Sequence, residues 1–191
     1  MHSLQIFRDL GVPYCCAEVL GNLSVANMRA GDFHQAITFA EQSLAIFQKL
    51  GNDADAGNQH INIAETYIEW GKLDEAFPEL RSARRAFGEK PNRYYLTYYF
   101  EAAFKLAVEL HAYESAAAIY GYAERYRRGS RSPLQPSERG TIESRRAVLE
   151  RALGTPAFDR LRRDGAAMEM AIVEGLIERL GSAPKQSSSV G

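Results

Sequence analysis

The apolar positions of this chain fall in helical stripes, and the stripes recur. Residues 3–11 read Ser-Leu-Gln-Ile-Phe-Arg-Asp-Leu-Gly and residues 43–51 read Ser-Leu-Ala-Ile-Phe-Gln-Lys-Leu-Gly, an offset of 40. A further step of 40 carries Phe7 and Phe47 to Phe87, Gly31 and Gly71 to His111, and Ala36 and Ala76 to Ala116. A fixed period of this length marks an array of like units, each too small to bury its apolar face alone.

Within the period the spacing is helical. Leu4, Phe7 and Leu10 lie at i, i+3 and i+6, so helix is predicted up to Leu10, where Gly11 and Pro13 end it. Helices are predicted over 14–30, with Val19, Leu20, Leu23 and Asn27 on one side, and over 33–50, with Ala36, Ile37, Ala40, Leu44 and Phe47 inward. The same hairpin recurs over 56–70 with 73–87, and over 93–110 with 112–128. Pro78, about one turn into its helix, removes a backbone donor and predicts a bend or a late helix start. His111 replaces the turn glycine in the third unit, a weaker turn signal.

Beyond residue 128 the composition changes. Residues 129–136 form a Gly-, Ser- and Pro-containing linker. A helix opens at Pro136-Ser137, carries Ile142, Val148, Leu149, Ala152 and Leu153, and stops at Gly154. A short helix follows from Thr155-Pro156, with Phe158 and Leu161 inward and Gly165 as its end. The last carries Met168, Ile172, Leu176 and Leu180. The Ser-rich residues 182–191 are predicted to be disordered. The expected architecture is therefore an all-α solenoid over 1–128, made of a half-repeat at 1–12 and units at about 14–51, 54–88 and 93–128. A linker at 129–136 and a helical cap at 137–181 complete it.

Composition narrows the function classes. A net charge of -1 points to neither a nucleic-acid binder nor an acidic tail. The balance is uneven, with eleven Arg against six Asp and Glu over 121–164, so +5 there and -6 elsewhere. Cys15 and Cys16 are adjacent and have no separated partner, so they read as small buried thiols in a reducing compartment. Arg8 and Asp9 interrupt the first apolar run, so no signal peptide is expected there, and no run approaches the roughly 20 residues of a membrane span. A cytoplasmic location is expected.

The hairpins resemble the tetratricopeptide repeat (TPR) family. Asn22-Leu23-Ser24…Asn27…Gly31-Asp32-Phe33…Ala36 fits its pattern, as does Asn62-Ile63-Ala64…Tyr67…Gly71-Lys72-Leu73…Ala76. Ala103-Phe104…Ala107…His111-Ala112-Tyr113…Ala116 fits loosely. The family's closing Pro is missing, and the period is 40 rather than about 34. The resemblance implies a right-handed superhelix whose helices A line an inner groove that takes ligands.

A second resemblance covers residues 116–180. Ala116-Ala-Ala-Ile-Tyr-Gly-Tyr-Ala-Glu124, Pro133-Leu-Gln-Pro-Ser-Glu-Arg139 and Ala152-Leu153-Gly154…Phe158…Gly165 are similar to the C-terminal end of large bacterial regulators with a P-loop (STAND-type) ATPase domain. No G-x-x-x-x-G-K-[ST] segment occurs here, so ATP binding is not carried over.

No catalytic or metal signature appears among the known short motifs. The four histidines, His2, His34, His60 and His111, have no metal-ligand spacing, and Glu65 and Glu69 read as a solvated helix face. Neither catalytic residues nor a cofactor nor a metal is expected. The aromatic run from Tyr94 to Phe104 places Phe100 and Phe104 in the core, with Tyr98 the candidate for a ligand surface. Arginines such as Arg127 and Arg145 could meet phosphates, but interspersed carboxylates speak against nucleic acid.

Carried over from the family, the inner surface consists of Glu18, Val25 and Arg29 in the first unit. It continues with Asn58, Glu65, Ile68 and Glu69 in the second, and Tyr98, Glu101, Lys105 and Glu109 in the third. Five carboxylates against two cations describe an acidic groove suited to a basic or helical peptide. The function expected is a non-catalytic protein–protein interaction module, the sensory or scaffolding C-terminal part of a bacterial ATP-dependent signalling or transcriptional regulator. The alternative is a free-standing adaptor that bridges two partners or self-associates. Leu4, Ile6 and Phe7 are expected to lack a covering helix, which implies either a longer protein or a homodimer through that end.

Overall fold

The 40-residue period becomes a stack of helical hairpins. The computed structural model describes residues 2–89, 91–130 and 136–181. Ten helices and no strand occur among the described residues, an all-α solenoid. They are α1 (His2–Asp9), α2 (Pro13–Ala30), α3 (Phe33–Lys49), α4 (Asp53–Trp70), α5 (Leu73–Ala86), α6 (Arg93–Glu109), α7 (Tyr113–Ser130), α8 (Pro136–Leu153), α9 (Thr155–Ala167) and α10 (Met170–Leu180). None of the described helices is long and apolar enough to cross a membrane.

The turns are made alike because the backbone demands it. Gly71 has φ +79°, and its N–H and that of Lys72 bond back to Ile68 and Tyr67 carbonyls at 3.1 and 2.9 Å. This closes the helix with a left-handed residue. His111 adopts φ +58°, and its N–H and that of Ala112 bond back to the Val108 and Ala107 carbonyls at 3.0 and 2.9 Å. The third turn is therefore kept without glycine. Asp32 and Asn52 cap α3 and α4 by accepting from Gln35 and Asp55 N–H groups. That cap starts α4 at Asp53, three residues before the expected position. Ala36, Ala76 and Ala116 are fully buried where helices cross.

Other boundaries differ for identifiable reasons. α5 starts at Leu73, with no delay, and continues through the exposed Pro78. α7 runs on to Ser130, into the expected linker. The linker residues 131–135 and the tail 182–191 lie outside the described residues. Gly165 does not end α9. It is buried within the helix, where a Cβ would stand 2.0 Å from the Ala118 carbonyl oxygen. Opposite it, a Cβ on Gly121 would stand 1.9 Å from the Arg162 carbonyl oxygen. The two glycines let α7 and α9 touch backbone to backbone. Leu4, expected to be uncovered, is 3% exposed and packs with Cys16 and Leu20, because α1 folds onto α2.

The C-terminal helices divide between two sides of the stack. α9 packs along α7, with Phe158 buried against Tyr120. α10 adds Val173, Ile177 and Leu180 to the core of α4–α7 and ties to α5 through Arg84–Glu174 at 2.5 Å and Arg81–Glu178 at 3.5 Å. α8 packs on α9, α7 and α6, and its Arg145 reaches the inner face, where α4 and α6 present their carboxylates.

Candidate functional site: the inner groove

The inner faces of α2, α4 and α6 enclose a groove of about 750 Å³, bordered at one end by Glu138 and Thr141 of α8. The helical period explains its lining. Residues 18, 22, 25 and 29 of α2 share one stripe, and 40 residues on, the stripe continues at 58, 62, 65 and 69 of α4. Glu18, Val25, Arg29, Asn58, Glu65, Glu69, Tyr98 and Lys105 all line it.

Three expected residues do not line it. Ile68 is 3% exposed and belongs to the core with Ile61 and Ala64, because it sits seven residues from Ile61 on the inward stripe. Glu101 is buried and receives two hydrogen bonds from the Arg127 guanidinium. Glu109 is drawn aside to Arg145 of α8, 2.9 Å away.

The groove is not the acidic trough that the sequence suggests. Lys105 Nζ lies 2.5 Å from Glu65 Oε1. Arg127 neutralises Glu101, and Arg145 Nη2 meets Glu69 at 3.0 Å and Glu109 at 2.9 Å. Four of the five carboxylates thus have a cation. Burial pushes the Glu101 carboxyl up while the Arg127 bonds pull against it. For Lys105, burial would lower the ammonium, but the Glu65 carboxylate beside it outweighs that and holds it above its ordinary range. Among the described residues Glu18 and Arg29 make no ion pair.

Aromatic and amide groups fill the other end. Asp55 accepts from the Tyr95 hydroxyl, from the Tyr14 hydroxyl at 3.2 Å and from the Asn52 amide at 2.7 Å. Burial first, then the bond to Asp55, keeps Tyr95 protonated well above the usual tyrosine range. For Tyr14 the Asp55 charge is the main cause of a rise. Tyr94 and Tyr98 meet edge to face at 5.1 Å, and the Arg127 guanidinium stands 5.5 Å from the Tyr98 ring. Burial also holds the Tyr98 hydroxyl up. Tyr14, Asn22, Asp55, Asn62, Tyr94 and Tyr95 line the groove without having been singled out for it. The period carried the signal, since 14 and 94 are two periods apart, and 22 and 62, like 55 and 95, are one.

Several of the C-terminal arginines are committed to the protein itself. Arg125 donates to the Met168 carbonyl, Arg162 pairs with Glu124 at 2.9 Å, and Arg146 pairs with Glu150 at 2.7 Å. Arg131 lies outside the described residues. No group of three or more His, Cys, Asp or Glu side chains suited to a metal occurs among the described residues.

Residues 15–89, spanning α2–α5, match the model of the tetratricopeptide repeat family. Neither the curated proteins nor the solved structures gave a match to the chain. The solenoid and the repeat match together support a protein–protein interaction module.

Proposed function

We propose that this chain is a non-catalytic interaction module whose inner groove receives a segment of a partner protein. The observation that carries this is the groove itself: about 750 Å³, lined by tyrosines and asparagines drawn from three successive helices A. Tyrosine supplies contact area at low entropic cost, and Asn58 and Asn62 can bind the partner's backbone groups. The finer reading is a sensory or scaffolding part of a bacterial ATP-dependent regulator. It is supported by the motif order over 116–180, whose described residues fall on α7–α10. A peptide library displayed against the full chain tests the groove. Selected peptides should bind Tyr98→Ala and Asn58→Ala variants at least about ten-fold more weakly, the worth of one interface hot spot. Unchanged affinity in both variants would sink the reading.

A self-associating adaptor is the second reading. The side chains of Ile6 and Leu10 are 42% and 66% exposed beside an apolar recess of about 470 Å³ lined by Phe7, Val12, Cys16 and Ile46. Sedimentation of the wild type and of Ile6→Glu/Leu10→Glu decides it. A wild-type monomer at micromolar concentration removes this reading.

A further inference from the structure

We infer that the partner segment is an arginine-bearing helix, and that α8 is its built-in competitor for the groove. The inference rests on the groove reading above and names both the occupant and its regulation.

The seat suits a guanidinium. Glu69 and Glu109 occupy the same position of successive repeats, 40 residues apart, so their carboxylates face one point from α4 and α6. Arg145 enters that point from α8, with Nη2 bonding Glu69 at 3.0 Å and Nε bonding Glu109 at 3.0 Å. A planar fork holds two carboxylates with donors in fixed directions, which the compact ammonium of a lysine does not reproduce. The other arginine–carboxylate pair of this region, Arg127–Glu101, is sealed, with both side chains about 10% exposed. Glu69 and Glu109 are 35% and 39% exposed, so their seat opens to solvent and to an incoming chain.

The occupant is lightly held. Among the described side chains of α8 only Ile142 and Leu149 are buried, whereas α6 buries twelve residues. The firm packing against α7 belongs to α9, through Gly121 and Gly165, and α8 adds only lesser contacts to both helices, so it can leave with the α7–α9 contact intact. Gly140 weakens α8 further. A Cβ there would meet nothing within 4 Å, so packing does not require glycine, and glycine lowers helix stability. Glu138 and Thr141 already border the open groove, which places the near end of α8 where a guest would continue. The apolar side chains of α8, Ile142 and Leu149 with the partly buried Val148 and Leu153, face the core, so what α8 offers the inner face is its arginine, and that shows what a replacement must carry.

The probe is a fluorescent synthetic peptide of residues 136–153, titrated with the full chain and followed by anisotropy. The Arg145→Ala chain, whose own α8 is unclamped, should bind the probe at least about ten-fold more tightly than the wild type. A probe carrying R145A should lose that binding. The Gly140→Ala chain, with a firmer α8, should bind the intact probe about five-fold more weakly than the wild type. Gly140→Ala fills open space and keeps the result readable should Arg145→Ala misfold. Equal affinity among the three chains, or undiminished binding of the altered probe, would overturn the inference. In the wild type, α8 amides should exchange hydrogen at least about ten-fold faster than those of α9, and equal protection would also overturn it. Library-selected peptides that depend on Tyr98 but ignore every α8 variant would refute the competition while leaving the groove reading intact.

Discussion

Lys105 and Glu65 are 40 residues apart in the chain and 2.5 Å apart in space. They hold the same position in successive helices A, so the sequence period becomes a direct ion pair between repeats. Tyr95 and Asp55 repeat this relation at the other end of the groove. Neighbouring units are thus joined by polar rungs as well as by apolar packing.

Losing Lys105 should expose the value of such a rung. Its partner is only 16% exposed, so Lys105→Met leaves a nearly buried carboxylate alone. We expect a loss of about 3 kcal/mol at pH 7 by urea unfolding. The folded-state pKa of Lys105 is raised above 10.5, so its contribution is full below the unfolded value and fades as pH rises through the folded one. The gap between wild type and variant should therefore narrow at pH 11 and beyond. A constant gap would show that Lys105 acts by packing alone.

Arg127→Met should be more damaging at neutral than at acidic pH. Burial already raises the Glu101 carboxyl, and Arg127 is the main influence pulling it back. Without Arg127 the carboxyl rises further, and the variant loses stability as pH climbs through that value. A loss of about 3–5 kcal/mol at pH 7, smaller at pH 5, is expected from unfolding curves. The reverse pH trend would refute this account.

Two glycines in the C-terminal region should respond oppositely to alanine. Gly121→Ala sets a Cβ against the backbone of Arg162, which cannot swing away, and should cost about 3 kcal/mol. Gly140→Ala meets only solvent and should add about 0.5–1 kcal/mol. Thermal melts separate them, at roughly 2–4 °C per kcal/mol for a chain of this size.

His111 tests the turn. At φ +58° a β-branched side chain is strained, so His111→Val should lower stability by about 1–2 kcal/mol relative to His111→Gly. Equal melting temperatures for the two variants would mean that the turn relaxes.

Much of this was legible from the chain because helix periodicity and the 40-residue repeat are local and cumulative. The solenoid and eight of the eleven groove positions follow from them. Ile68 was misplaced because it adjoins Glu69 in sequence, yet points about 100° away, toward Ile61. Glu101 carried a signal that periodicity could have read. It stands 40 residues after the core residue Ile61, and a carboxylate at a core position requires a buried cation. Arg145 carried none. Its seat depends on how α8 returns to the stack after residues 131–135, which no repeat dictates.

The buried apolar side chains form one large group, from Ile61 to Leu180, and two small ones around Leu20 and Phe47. Heat or force should loosen the first hairpin before the rest yields, since each unit of such an array leans only on its neighbours. The groove straddles that divide, with α2 on the yielding side and α4 and α6 on the firm one. A guest that touches both is a splint, and its arrival would turn two melting steps into one.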